Sequence, residues 1–351
     1  MVWRSEMAWP EPQRIREGVQ NMLRVNLGVQ EGESLLVMTD PPTLSQWEEL
    51  PVEQLEEALE RCVLARLVAD LAAETVPTVT TTFLPYPRTA RFGAEPDDDT
   101  AERMRRSDVV VAINNNSITH TRAAREACRA GTRVASMPGF CAEMFEGPMT
   151  ADYHQVAEDS RRMAELLTKA RSARLTTPDG TDLTMDLSGR LGDVDSGFVA
   201  GMERPINLPG GEAFIVPVEG KAEGKVVVTP LGCAALSEKM TIAFEAGEVS
   251  DIEGGGVVGE EYRQLLELPT PGLQPGRRNL AELGIGTNPE AKSVKSTLEA
   301  EKIMGTVHVA IGDNSVMGGR VHADLHEDFV LWDPDLYLDD ELVIKKGEWL
   351  A

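Results

Sequence analysis

Three of the five histidines, His308, His322 and His326, fall within 19 residues, in the stretch GTVHVAIGDNSVMGGRVHADLHEDFVL. Residues 307–311 read as a strand, 312–319 as a glycine-rich loop and 321–331 as a returning strand, so the histidines can meet across a hairpin. The second strand carries two H-x-D patterns, His322-Ala323-Asp324 and His326-Glu327-Asp328. Residues two apart on a strand point to one face. Each pattern therefore brings an imidazole and a carboxylate together, and His322 and His326 share that face. Neutral imidazole with carboxylate is the ligand chemistry of Zn, Mn, Fe or Co. A single H-x-D reads more simply as an exposed histidine beside an acid. The arrival of His308 from the neighbouring strand is what favours a metal.

Two carboxylates lie in unusual surroundings. Glu212 sits in INLPGGEAFIVPV, between a Gly-Gly turn and an apolar strand, and Glu282 sits in NLAELGIGTNP, flanked by apolar residues and glycine. Burying an ionised carboxylate is costly unless something pairs with it, and a cation would do so. Two such carboxylates with two histidines and an aspartate make the ligand set of a two-metal site, in which a metal-held hydroxide attacks a carbonyl.

These residues need a scaffold, and its two halves differ in texture. Residues 11–27 are amphipathic, 33–40 (ESLLVMTD) form a short apolar run, and 51–74 open with Pro and read as a long helix. Strands are expected over 75–84, 109–113 and 133–136, with helices near Ala101 and over 122–130. That alternation implies a parallel sheet covered by helices. No G-x-G-x-x-G follows any of these strands and no P-loop motif occurs, so a dinucleotide or nucleotide-phosphate cradle is missing. Asn114, Asn115, Asn116 and Ser117, after VVVAI, read as turn residues.

A helix over 152–171 closes this half. Beyond it, Pro178-Asp179-Gly180 between two alternating runs marks a hairpin, glycine becomes frequent, and only 293–303 looks helical. The expected fold is an α/β, flavodoxin- or Rossmann-like domain over 1–172, followed by a strand-rich α+β metal-binding domain over 173–351.

The chain has 351 residues, with 34 basic and 58 acidic side chains and a net charge of −24. Nucleic-acid binding relies on a basic surface, so that partner is not expected. No apolar run approaches the roughly 18 residues of a membrane span, and MVWRSEMAWPEPQ lacks the order of a signal peptide, which together suggest a cytoplasmic protein. Cys62, Cys128, Cys141 and Cys233 are scattered without a C-x-x-C pair and read as buried thiols.

The stretches NLPGGEAFIVP, NLAELGIGTNP, EKIMGTVHVAIGDN and LHEDFVLWDPDLYLDDE resemble, in order, those of the metallo-aminopeptidases of the aminopeptidase T and aminopeptidase S type. By that resemblance the family's metal ligands fall on Glu212, Glu282, His308, His326 and Asp328. Phe329 after Asp328 selects the second H-x-D and leaves His322 and Asp324 as neighbours. The residues themselves do not choose between the two pairs. The resemblance implies two divalent cations (Zn, Co, Mn or Mg, or else Fe(II)) and a homodimer, with a peptide or other small molecule as substrate. It also implies hydrolysis by a metal-bound water, with Glu212 and Glu282 as catalytic carboxylates. The family's Tyr after the His-A-[IL]-G sequence has no counterpart in GDNSVMGG.

The same fold is shared by a dihydroxypyridine dioxygenase that holds one Fe(II) through two His and one carboxylate. His308, His326 and Asp328 suit such a triad, so a ring-cleaving dioxygenase acting on a dihydroxylated, pyridine-type aromatic is the second reading. A non-catalytic metal- or small-molecule-binding protein that has kept the fold is the third. Keeping both Glu212 and Glu282 favours two metals and the hydrolase.

Overall fold

The computed structural model describes residues 10–89, 93–201, 203–231, 233, 236–268, 276–294 and 296–350. Residues 1–9, which include most of the segment read as lacking a signal-peptide pattern, lie outside that range. The chain forms two compact units, Met1–Tyr153 with Gly197–Gly210, and His154–Ser196 with Gly211–Ala351.

In the first unit five parallel strands lie in the order Thr80–Pro85, Ser34–Thr39, Val109–Asn114, Arg133–Pro138, Ile206–Asn207. The run VVVAIN is buried along its whole length, because a central parallel strand covered on both faces has no polar side. Helix Val52–Thr75 begins after Pro51, and the Asp97 and Thr121 side chains cap Asp98–Arg106 and Arg122–Arg129 by accepting from Thr100 and Ala124 N–H groups, offsetting the unpaired donors of a helix start. The strand expected from residue 75 starts at Thr80, since the helix runs on to Thr75 and a turn fills the gap. At the strand ends Asn115 donates from its backbone N (2.7 Å) and Nδ2 (2.8 Å) to Asp40 Oδ1, so this asparagine ties two strands together and is more than a turn residue.

The second unit holds an eight-stranded and a five-stranded sheet, whose strand pairings are antiparallel. The helix Tyr153–Lys169, read from sequence as the last element of the first half, is counted almost wholly with this unit. The Pro178-Asp179-Gly180 hairpin joins Ser172–Thr176 to Asp182–Asp186, with Gly180 at φ 111°.

Three local expectations are corrected. Gly256–Glu267 is a helix that the glycine-rich start GGG concealed. Among the described residues of 293–303 only Thr297–Ala300 is α-helical; before it, Glu299 Oε1 accepts from the backbone N–H groups of Lys292 and Ser293 (both 2.9 Å), which holds Lys292 and Ser293 outside the helix. The returning strand begins at His326, not 321. Asp313 and Asn314 hold the preceding loop, accepting from Ala323 N (3.0 Å) and Val321 N (2.9 Å). No helix among the described residues is long and apolar enough to cross a membrane.

Candidate metal centre

The five-stranded sheet runs in the order His326–Leu331, Val307–Gly312, Leu280–Gly286, Glu212–Ile215, Asp193–Asp195. Its registers pair Asp328 with Ala310, Ala310 with Glu282, His308 with Gly284, Gly286 with Glu212, and Glu212 with Asp195. Directly opposed residues share a face, as do residues two apart. One face therefore carries Asp195, Glu212, Glu282, His308, His326 and Asp328, with Gly284, Gly286 and Ala310 between them. The other face supplies Ala213, Ile215, Leu283, Ile285, Val307, Val309, Ile311, Phe329 and Leu331 to the apolar core. Burying this second face fixes the register. A slip of one residue would put every acid into the core.

Glu282 lies at the centre of the polar face. Its Oε1 is 3.6 Å from His308 Nε2 and its Oε2 is 3.2 Å from His326 Nε2. His326 Nε2 is also 3.6 Å from Asp328 Oδ1, and His308 Nε2 is 3.4 Å from Glu212 Oε2. On its far side His326 Nδ1 donates to the Asp313 carbonyl at 2.8 Å. A carbonyl can only accept, so the ring's orientation is fixed and, when neutral, its Nε2 lone pair faces Glu282 and Asp328.

A built-in cation stands at one end. Lys302, 1% exposed, places Nζ 2.7 Å from Glu212 Oε1 and 2.9 Å from Glu301 Oε1. Burial alone would strip its proton, but the two carboxylates outweigh burial and hold it charged. Burial pushes the Glu301 carboxyl up to about 8 and raises Glu212 against the pull of Lys302 and His308. Glu282, just as buried, goes the other way, because hydrogen bonding and charge from His308 and His326 overcome desolvation and hold it well below the usual carboxylate range. Burial opposes charge on both imidazoles too. The carboxylates nonetheless push His308 up to about 9 and His326 well above its ordinary value.

These residues fit a metal ion. Ligand atoms of Glu212, Glu282 and His308 lie within 4.8 Å of one another, as do those of Glu282, His326 and Asp328. Buried Glu212 Oε2 has no hydrogen-bond partner. Nitrogen and carboxylate oxygen donors suit a divalent transition ion. The raised imidazoles predict proton release. At pH 7 the metal-free histidines hold their protons, ligation requires them neutral, and so each ion bound should displace on the order of one or two protons. Calorimetry of metal binding in buffers of different ionisation enthalpy should show that release, together with affinity that weakens as pH falls. Affinity and heat independent of pH and buffer would contradict it.

All five candidate ligands, Glu212, Glu282, His308, His326 and Asp328, are thus brought to one sheet face. The other H-x-D is not: His322 lies before the strand, its side chain 69% exposed and 3.9 Å from Asp313 Oδ2, and Asp324 forms two 2.7 Å hydrogen bonds with Arg277. The shared face expected for His322 and His326 fails because residues 321–325 are not strand. Glu327 points away from the donors and accepts from Tyr262 Oη at 2.8 Å. Sequence reasoning missed Lys302, Glu301, Asp195 and Gly284. A glycine inside a strand pattern, as in LAELGIG, marks a close approach and could have revealed the last. Nothing local marks Lys302.

A profile of the 2,5-dihydroxypyridine 5,6-dioxygenase family matches residues 20–351. The chain is 27% identical over 212 residues to the 2,5-dihydroxypyridine 5,6-dioxygenase of Pseudomonas putida, an alignment spanning 55% of this chain and 59% of that relative. Among solved structures it is similar to the 2,5-dihydroxypyridine dioxygenase from Pseudomonas putida KT2440 (TM-score 0.72, 19% identity, 97% of this chain and 98% of that one). It is also similar to AmpT from Thermus thermophilus (TM-score 0.63, 17% identity, 97% and 100%). At such identities these two structures show the fold, which matches the expected α/β domain plus strand-rich unit.

The family match overturns the leading expectation of a hydrolase, an aminopeptidase acting on peptides. Its physical weakness was that imidazole and carboxylate donors serve hydrolytic and oxidative metals alike, and a shared fold does not fix the reaction.

Proposed function

The chain belongs to the 2,5-dihydroxypyridine 5,6-dioxygenase family, and from that premise we propose that it is a ring-cleaving, mononuclear Fe(II) dioxygenase acting on a dihydroxylated, pyridine-type aromatic. The observation that carries the site assignment is the convergence of two imidazole Nε2 atoms on the two oxygens of one buried carboxylate, Glu282. Glu282, His326 and Asp328 would hold the ion, and His308 Nε2, facing the other oxygen of Glu282, would complete its shell. One ion is favoured over two because Glu212 already has a cation, Lys302 Nζ, at 2.7 Å. Neither Glu282 nor Asp328 has a lysine or arginine ion-pair partner among those found for the described residues.

Bound Fe(II) supplies the redox chemistry that lets dioxygen react with an electron-rich ring. The chain's own residues supply orientation and charge. The Asp313 carbonyl aims His326. Glu282 stays ionised and so can balance a dication. Lys302 holds Glu212 in place through Oε1 and leaves Oε2 toward His308. Phe214 and Val330 pair with Gly284 and His308 in the register and so share the donor face, giving it apolar flanks.

The test is anaerobic loading with Fe(II), then dioxygen uptake and loss of ring absorbance on a panel of dihydroxylated pyridines and benzenes. Matched consumption of ring and oxygen on a pyridine substrate is the expected result. An Fe(II)-loaded protein inert to the whole panel would overturn the reading and leave a metal-binding protein without this activity.

A further inference from the structure

We propose that Gly284 is a positioning residue for the metal centre, its missing side chain making the space in which the His308 imidazole lies against the central strand. The inference rests on reading the Glu282, His308, His326 and Asp328 group as a metal site. It does not depend on which reaction the metal serves.

Gly284 pairs with His308 across the sheet. A Cβ built on Gly284 would lie 2.0 Å from His308 Nε2, 2.2 Å from Cε1 and 2.7 Å from Cδ2. The three nearest atoms all belong to this one ring, and the nearest is the nitrogen that faces Glu212 and Glu282. Even a methyl group must therefore displace the ligand edge of the imidazole. The backbone does not require glycine for its own sake, because Gly284 is absent from the positive-φ glycines, so an L-residue meets no left-handed strain there. Glycine inside a strand gives up side-chain packing and costs conformational entropy. The close approach of a donor ring is what it provides in return. His308 is 1% exposed, so the ring has no solvent side into which to swing.

The experiment compares wild type, Gly284→Ala, His308→Ala and the double variant. Co(II) affinity is read by chelator competition, the ligand field by the visible spectrum of the Co(II) protein, and folding by circular dichroism and melting. Gly284→Ala should weaken Co(II) binding on the order of ten- to a hundred-fold, the scale for groups that orient a ligand, and should change the spectrum. In the His308→Ala background the same substitution should change affinity by less than about two-fold, because its effect passes through the missing ring.

Unchanged affinity and spectrum in Gly284→Ala, or an equal loss in both backgrounds, would overturn the proposal. If His308→Ala itself binds Co(II) like wild type, the proposal falls with the role of His308. A wild type that binds no metal at all would refute the metal-site reading instead. Should Gly284→Ala fail to fold alone, the double variant, which lacks the ring, should fold and keep the affinity of His308→Ala. A double variant that also fails to fold would contradict the account.

Discussion

Replacing Glu282 with Gln should nearly abolish metal binding while leaving the fold in place. Glu282 is the one residue common to both candidate ligand groups, it is 4% exposed, and each of its oxygens faces a different histidine. Glutamine keeps the shape but removes the charge and turns an amide N–H toward a nitrogen that should be a ligand. Breaking a buried charge pair costs about 3–5 kcal/mol, which corresponds to roughly a hundred- to a thousand-fold or more in affinity. Chelator competition with Fe(II) or Co(II) measures it directly, with circular dichroism as the check on folding. A folded Glu282→Gln protein with near wild-type affinity would remove Glu282 from the centre.

Lys302→Met should produce the largest loss of stability of any single change in this region. The substitution leaves Glu212 and Glu301 buried with their ammonium partner gone, a situation that costs about 3–5 kcal/mol. The loss should depend on pH, and its sign follows from the carboxyls. Burial raises Glu301 to about 8 and raises Glu212 as well. Both therefore take up protons more readily folded than unfolded, and falling pH favours the folded state through them. Without the ammonium they rise further. The gap between wild type and variant in urea unfolding should thus be narrow at pH 5.5 and wide at about pH 9.5, once wild-type Glu301 has ionised beside the ammonium while the variant's carboxyl is still protonated. A gap of the same size at both values would mean that packing of the lysine stem, not its charge, is what the structure needs.

How legible this was from sequence depends on the range of the physics involved. Apolar runs such as VVVAIN and the alternation VHVAIG report local burial, so the parallel sheet and the His308 strand could be read directly. His326 and Asp328 were legible only as one of two such pairs, because a strand brings residues two apart to one face and His322 with Asp324 shows the same spacing; the family resemblance, through Phe329, preferred them. Glu212 and Glu282 stood out because acids rarely sit within apolar, glycine-flanked strands. Lys302 was not legible. It lies in EAEKIMG, which looks like an ordinary charged helix surface, and only the tertiary fold buries it. His322 misled for the opposite reason. Its spacing suits a strand, but side-chain bonds from Asp313 and Asn314 hold that segment as a loop. The reaction was least legible of all, because the same donors serve different metals and only the family match separated the two readings.

The most direct test of the central claim is isotopic. Turnover of a dihydroxylated pyridine under ¹⁸O₂, with rapid quenching and mass spectrometry of the ring-opened products, should place both atoms of one dioxygen molecule in the products. Oxygen entering from labelled water instead, with none from ¹⁸O₂, would contradict a dioxygenase built on this sheet face.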